Sequence, residues 1–294
     1  DSAAFLRKHY PQVELLLLDK NYGYAEGYNR ALEQVAADCY VLLNSDVEVE
    51  EGWLGPLAKL MASNERIAAL APKILSYDRP GYFATAGASG GFLDAFGYPF
   101  CRGRILDTIE QDDGQYDTSR DVFWASGACM MVRADVFRKL GGFDGDFFAH
   151  MEEIDFCWRA QLAGYRIMVE PRSRVFHLGG GTLPNNSPRK LYLNYRNNLS
   201  MLYKNLSKLT LWPLLFTRMV LDGMSAFVFL MQGRRDFFKV VFRSHMDFYK
   251  ILGMLRAKRR AIQRDRTGSA AGNIYRGSII LRHALGRRTF GRMM

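Results

Sequence analysis

The chain has 294 residues, 48% of them hydrophobic and 24% charged, with a formal net charge of +10. This composition excludes a disordered or collagenous chain and suffices for one or two buried cores. Four scattered cysteines (Cys39, Cys101, Cys129 and Cys157) without a CxxC pair suggest neither a zinc cluster nor a disulfide framework, and a reducing compartment is the simpler expectation.

The charge is unevenly placed. Residues 234–294 hold 16 Lys and Arg against 3 acids, a balance of +13, while the residues before them hold 24 against 27, a balance of −3. The basic character belongs to the tail and points to an anionic surface, either lipid headgroups or nucleic acid.

In chain order, "DSAAFLRKHY" is polar and helix-like, and "VELLLLD" (13–19) is an apolar run of strand length. "YAEGYNRALEQVAA" (24–37) has helical spacing, and "CYVLLN" (39–44) reads as a second buried strand. A helix over 52–62 and a strand over 66–75 follow, so this alternation predicts an α/β fold with a mostly parallel sheet. Residues 76–121, rich in Gly, Asp and aromatics, read as loops and short hairpins. Residues 121–133 are strand-like, 134–142 form a short helix stopped by glycines, and 152–163 form a helix ended at Gly164. Short strands are expected at 166–170 and 174–179. A boundary is expected near 185, in the turn-rich "GGGTLPNNSP". This divides the chain into 1–185, a helical region 186–264 that associates with a membrane or oligomerises, and a basic tail 265–294.

Several positions could carry chemistry. Asn44, Ser45 and Asp46 follow a buried strand, where open sheets bind ligands and a carboxylate can hold a hard divalent cation; a turn or helix cap explains the same residues. Gly23 and Gly27 lie between a strand and a helix but match no phosphate-loop fingerprint. Glu152, Glu153 and Asp155 crowd the start of a helix, where the dipole favours negative charge, so an acidic first turn competes with a catalytic role. Positions 152 and 155 can share a face while 153 points elsewhere. His177, ahead of "LGGGT", could bind a metal or phosphate, though a lone histidine is more often structural, and the same holds for His150 beside the acids.

Taken in order, "NSD", "SGACMMVR", "GGFDGDFF", "MEEIDFCWRAQLAGYRI" and "VFHLGGGT" resemble the motifs of family-2 glycosyltransferases of the GT-A (Rossmann-like) fold, in their rhamnosyltransferase-like branch. The opening residues resemble the stretch after that family's first nucleotide-binding strand, with an NxGxAxGxN pattern on Asn21, Gly23, Ala25, Gly27 and Asn29. The resemblance covers residues 1 to about 205 and implies that the family's first strands precede residue 1. It places Asn44 and Asp46 at the DxD position, with Asp46 a ligand of Mg²⁺ or Mn²⁺ and His177 a further metal or diphosphate contact. Asn21, Gly23, Gly27 and Asn29 fall to the donor side. It places Glu152 and Glu153 at the ED pair, with Glu153 the general base and Asp155 in support, and puts Trp124, Ser126 and Gly127 on the acceptor side. Two departures stand out: Asn44 replaces the first DxD acid, and Glu153 stands where Asp is usual.

The implied reaction is inverting transfer of a sugar from dTDP-rhamnose or a UDP-sugar to a lipid-linked or glycan acceptor, in cell-surface polysaccharide synthesis. The implied location is cytoplasmic, peripheral on the inner face of a bacterial membrane. No QxxRW motif of the processive synthases occurs, which favours addition of one or few sugars. Segment 209–232 is apolar but carries Arg218 and Asp222, leaving charge-free runs shorter than the ~18–20 residues of a span. An interfacial helix on an anionic bilayer and a packed or homo-oligomer helix both fit it, with a true span the minor case. Two competing readings are an inactive glycosyltransferase-fold scaffold and a nucleic-acid-binding protein using the basic tail; the tail carries no named nucleic-acid motif.

Overall fold

The computed structural model describes residues 2–178 and 187–293, apart from the side chain of residue 271. The boundary expected near 185 lies outside the described residues. Eleven strands are present among them: β1 Cys39–Leu43, β2 Val47–Val49, β3 Ile67–Ser76, β4 Gly91–Asp94, β5 Pro99–Cys101, β6 Arg104–Ile105, β7 Thr108–Ile109, β8 Arg120–Asp121, β9 Cys129–Arg133, β10 Arg166–His177 and β11 Ile274–Tyr275. The helices are α1 Ser2–His9, α2 Gly23–Leu32, α3 Leu54–Ser63, α4 Ala134–Lys139, α5 Glu152–Leu162, α6 Pro188–Asn205, α7 Lys208–Met231, α8 Arg235–Lys250 and α9 Leu252–Arg264, followed by the short α10 Ile279–Ala284 and α11 Phe290–Met293.

The main sheet runs β1-β9-β3-β10-β2, with β8 also against β10. The α/β class is as expected, but the sheet is mixed, not mostly parallel. Within it, β3 and β10 pair in parallel, whereas β9 is antiparallel to both β1 and β3. The reason is topological. The strands after α2 and α3 are not neighbours, because β9 returns from the hairpin region and inserts between them, and an antiparallel neighbour needs no helical crossover.

Residues 13–19 form no strand. They pair with no strand among the described residues and leave Val13 and Leu17 48% and 62% exposed. An apolar run becomes a strand only where a partner takes up its backbone groups. The two strands expected at 166–170 and 174–179 are one long β10, with a register shift between Glu170 and Arg174. The strand-like 121–133 is broken by a buried turn and becomes β8 and β9.

The hairpins between β3 and β9 build a second sheet, β11-β4-β5-β6-β7. Its parallel edge strand β11 comes from the basic tail, with Ile274 opposite Leu93. Phe290, also in the tail, packs on Phe92, Phe100 and Tyr116. The tail is therefore part of the folded body.

Between the sheets and the C-terminal helices lies α5, buried almost all round: Ile154, Phe156, Cys157, Trp158 and Ala160 are each at most 4% exposed. All four cysteines are free.

The helical region sits on α5 through charge as well as packing. Lys204 of α6 is 1% exposed and pairs with both Asp144 and Asp155. Lys258 of α9 pairs with Asp144 and Asp146. Arg259 donates to the carbonyls of Tyr203 and Leu206 at the end of α6. Part of the basic excess is thus consumed inside the molecule, at the acidic loop and at a helix C-terminus, where cations are favoured.

Candidate active site

The acidic turn begins with a strained backbone. Phe148, His150 and Met151 have φ of 62°, 70° and 73°, and Met151 caps α5 in the left-handed region without a side-chain hydrogen bond. Non-glycine residues held there cost on the order of 1–3 kcal/mol each and persist only when their surroundings fix them.

Asn197 of α6 does so. It is fully buried, and its Nδ2 donates to the carbonyls of Phe147, Ala149 and His150 at 2.9, 3.0 and 2.7 Å, so two hydrogens serve three acceptors. From the other side, the first N–H groups of α2 hold Phe148, whose carbonyl accepts from Tyr24 and Ala25 at 2.7 and 3.2 Å.

This contact explains much of the NxGxAxGxN pattern. A Cβ on Gly23, whose φ is +78°, would lie 2.5 Å from the Phe148 carbonyl oxygen, so only glycine allows the approach. Asn21 accepts from the Gly23 N–H at 2.8 Å. Asn29 accepts from the Phe143 N–H and donates to the Phe143 carbonyl, both at 2.9 Å. In this structure Asn21, Gly23 and Asn29 dock α2 on the acidic loop, while nothing approaches a Cβ built on Gly27.

The three acids meet three environments. Asp155 is fully buried but neutralised: it accepts from Arg159 Nε at 2.8 Å, Lys204 Nζ at 2.9 Å and Asn205 Nδ2 at 2.8 Å. Glu152 is 4% exposed, and its Oε2 has no partner among the described residues. Burial, then the neighbouring Glu153, push its pKa well above the carboxylate range. Glu153 is half-buried with Oε2 also unpartnered; burial pushes it up to about 7, against backbone N–H groups that favour its charged form. Two adjacent carboxyls that cannot both ionise cheaply leave one available to take a proton near neutrality.

Glu153 faces a cavity of about 210 Å³ lined also by Trp124, Arg104, His150 and Asn194. Burial, then Lys190, hold His150 down to about 4, so it is neutral at pH 7. Trp124 lies flat on Gly91, where a Cβ would fall 2.0 Å from the ring, and its Nε1 donates to the Phe92 carbonyl at 3.0 Å. Ser126 and Gly127 form a buried turn that is not among the cavity's lining residues. Ser126 Oγ accepts from Ala128 N–H at 3.3 Å, and the Gly127 carbonyl accepts from Tyr24 Oη at 2.6 Å.

Asn44 and Asp46 leave the end of β1, where Asn44 N–H donates to Ala128 at 3.0 Å and its carbonyl accepts from Val47 N–H. The antiparallel pairing of β10 with β2 sets His177 opposite Val47. Its Nε2 is thereby 3.4 Å from Asp46 Oδ2, while its buried Nδ1 has no partner among the described residues. Sequence-distant NSD and VFH motifs thus meet. Among the described residues no three His, Cys, Asp or Glu side chains form a metal cage. A carboxylate beside an imidazole nitrogen, Asp46 Oδ2 and His177 Nε2, suits a divalent cation that takes its other ligands from substrate oxygens and water.

Tyr24 and Tyr28 of α2 join the two halves. Tyr28 Oη donates to the carbonyl of Leu43, just ahead of Asn44, and Tyr24 reaches Gly127. Burial, then Tyr28, Glu152 and Glu153, raise Tyr24 well above the ordinary phenol range. Tyr24, Asn197 and Lys204 escaped the sequence reading, because a tyrosine or asparagine at helical spacing looks like any other packed residue.

Residues 1–141 match the family Glycosyl transferase family 2. The chain is 29% identical over 185 residues to an N-acetylglucosaminyl-diphospho-decaprenol L-rhamnosyltransferase of Mycobacterium tuberculosis, covering 58% of this chain and 60% of that relative. It is 39% identical over 85 residues to the rhamnosyltransferase WbbL of Escherichia coli K12, covering 29% and 31%. The chain thus spans less than two thirds of the length of either relative. Among solved structures, GalNAc-T7 with UDP, GalNAc and Mn²⁺ superposes with a TM-score of 0.51 at 14% identity, covering 69% of this chain and 38% of that one, so the fold is shared.

Proposed function

We propose that the family 2 glycosyl transferase domain carried by this chain transfers a hexose from a nucleoside-diphosphate sugar to a hydroxyl of a lipid-linked or glycan acceptor, with inversion, in cell-surface polysaccharide synthesis. The observation that carries this reading is Glu153. It is a half-buried carboxyl with an unpartnered oxygen, pushed up to about 7, at the wall of a cavity large enough for one sugar ring. A base of that pKa takes the proton of the acceptor hydroxyl as its oxygen attacks the anomeric carbon. Neutral His150 and Trp124 line the same space.

Asp46 and His177 would hold the divalent cation, Mg²⁺ or Mn²⁺, which when bound neutralises the leaving diphosphate. The names of the two rhamnosyltransferase relatives favour a rhamnose donor, which we take as dTDP-rhamnose, with a UDP-sugar the alternative.

The helical region supports work at an anionic bilayer surface, on the inner face of a bacterial membrane. Helix α7 is long and apolar enough to cross a membrane by length and composition. Its polar groups, however, face inward. Buried Arg218 pairs with Asp222 at 2.8 Å and stacks 3.8 Å from the Tyr98 ring, and His245 of α8 lies 3.3 Å from Asp222. Its other face exposes Leu209, Trp212, Phe216, Met224, Phe227 and Met231, each by 59–89%. A helix bound to its own protein along one side and apolar along the other fits the plane of the interface, and a homo-oligomer contact would use the same face.

Incubation with dTDP-rhamnose or UDP-sugars and an isoprenoid-diphosphate sugar acceptor tests the proposal. Cation-dependent product with the anomeric configuration opposite to the donor's is expected. A product that retains the donor configuration would overturn the single-displacement reading.

A further inference from the structure

A second, larger cavity lies apart from the acids. It measures about 420 Å³, within the range of ligand sites, and sits where α5, α6, α7 and the tail meet. Its interior is apolar, with Trp158, Leu162, Leu202, Leu206, Leu214 and Ile274 among its walls.

The tail wall is built, not incidental. Gly268 N–H donates to the Leu162 carbonyl at 2.7 Å, Asn273 Nδ2 reaches Gln161 Oε1 at 3.1 Å, and β11 is hydrogen-bonded to β4.

Two arginines stand against one acid at this cavity. Arg266 and Arg276 line it; Arg266 donates to the Gly268 carbonyl, and neither guanidinium pairs with an acid among the described residues. Ser207 and Thr210, at the N-terminal end of α7, line it as well and add the positive end of a helix dipole. The one acid present, Asp94, is already satisfied by the N–H groups of Phe96, Tyr98 and Ile279.

An apolar chamber with uncompensated cations fits an amphiphile with a hydrocarbon chain and an anionic head. The exposed apolar face of α7 begins at the same place, with Leu209 89% and Trp212 62% exposed. A lipid-linked sugar acceptor is the competing occupant, which the farnesyl phosphate probe below distinguishes. Its attacked hydroxyl must reach Glu153, whose cavity is lined by Asn194 of α6, whereas this chamber lies by Leu202–Leu206. Along α6 eight to twelve residues separate the two, roughly 12–18 Å at ~1.5 Å per residue, while on α5 and at the β4–β5 turn the linings come within four and two residues, Ile154 to Trp158 and Gly97 to Pro99.

We propose that this cavity binds one acyl chain of an anionic bilayer phospholipid, with its phosphate at Arg266 and Arg276, tethering the protein to a single lipid independently of the sugar-transfer site.

The test is titration of the whole chain with lysophosphatidic acid below its critical micelle concentration. Lysophosphatidylcholine, glycerol 3-phosphate and farnesyl phosphate serve as parallel probes. Saturable 1:1 binding of lysophosphatidic acid is expected, at least tenfold weaker for the zwitterionic lipid and undetectable for glycerol 3-phosphate. Arg266→Gln with Arg276→Gln should weaken it about tenfold, and Leu214→Trp or Ile274→Trp should abolish it while the far-UV spectrum and the cooperative melting transition stay native. Phe216→Ser with Met231→Ser, on the outer face of α7, should leave it intact. The proposal is overturned if binding is unsaturable, survives both the arginine and the tryptophan variants, or is lost with the outer-face pair. Tighter binding of farnesyl phosphate would overturn the acyl assignment. Since binding is read without turnover, its failure leaves the Glu153 reading standing, and an inactive chain that binds the lipid leaves this inference standing.

Discussion

Replacing Asn197 with alanine asks whether the strained turn before Glu153 is held from outside. The substitution deletes two N–H donors that serve three buried carbonyls. At ~0.5–1.5 kcal/mol net per hydrogen bond, and more where a buried acceptor is left unsatisfied, the direct loss is about 2–3 kcal/mol. Three residues of positive φ then lose their outside restraint, and the turn can shift. Relaxation is the functional danger: an ångström of displacement of a catalytic group costs about 100-fold in rate. The expected outcome is a melting temperature about 5–10 °C lower, kcat down about 100-fold and KM for the donor little changed. The pH–rate profile carries the decisive reading. A Glu153 released from its buried setting titrates below its present value of about 7, so the acidic limb should move to lower pH. Asn197→Asp, of the same shape without the donors, should behave like alanine. A variant that melts earlier but keeps kcat and the acidic limb would refute the reasoning, because the turn would then hold itself.

Five further outcomes are expected. Activity should rise with pH through about 7 as Glu153 loses its proton. Stability should run the other way: a carboxyl whose pKa is raised by folding stabilises the fold fully below the unfolded value near 4.5, and this is lost as pH rises through about 7. Urea unfolding from pH 4.5 to 8 checks this, and Glu153→Gln should flatten the slope. Asp155→Asn leaves Lys204 and Arg159 buried without their shared carboxylate and should cost about 3–5 kcal/mol in the same assay. Asp46→Ala and His177→Ala should each weaken Mn²⁺-dependent nucleotide binding in calorimetry while leaving metal-free binding unchanged. Phe216→Asp with Phe227→Asp should weaken co-sedimentation with anionic vesicles at least tenfold without altering melting; unchanged co-sedimentation would move the bilayer contact off the outer face of α7.

Local signals carried much of the fold. Strand β1, helix α3 and strand β3 lie close to where apolar runs and helical spacing place them, and α5 begins at the acids and ends before Gly164. Partner choice was not legible. Nothing in 129–133 announces that β9 inserts antiparallel between β1 and β3, and nothing in 13–19 says that its leucines pair with no strand among the described residues. Strand order depends on contacts distant in sequence, to which periodicity is blind. At the site, the ordered motifs picked out Glu153, Asp46 and His177, and the structure brings the last two together. The NxGxAxGxN pattern was harder. Its Gly23 and Asn29 read as donor contacts, yet here they meet the loop from 143 to 148, because a glycine permits any close backbone approach, whether ligand or protein. From composition the basic excess of 234–294 pointed to an anionic surface, yet two of its cations, Lys258 and Arg259, meet an acid and carbonyls of the chain itself.

The central claim is that Glu153 removes the proton from the acceptor hydroxyl. Release of nucleoside diphosphate from a sugar donor, measured with and without acceptor in the native chain and in Glu153→Gln, tests it most directly. Glutamine keeps the shape and the helix start but cannot take a proton. Acceptor-dependent release should fall by at least 1,000-fold in Glu153→Gln while donor binding is retained; release within a few-fold of the native rate would contradict the account.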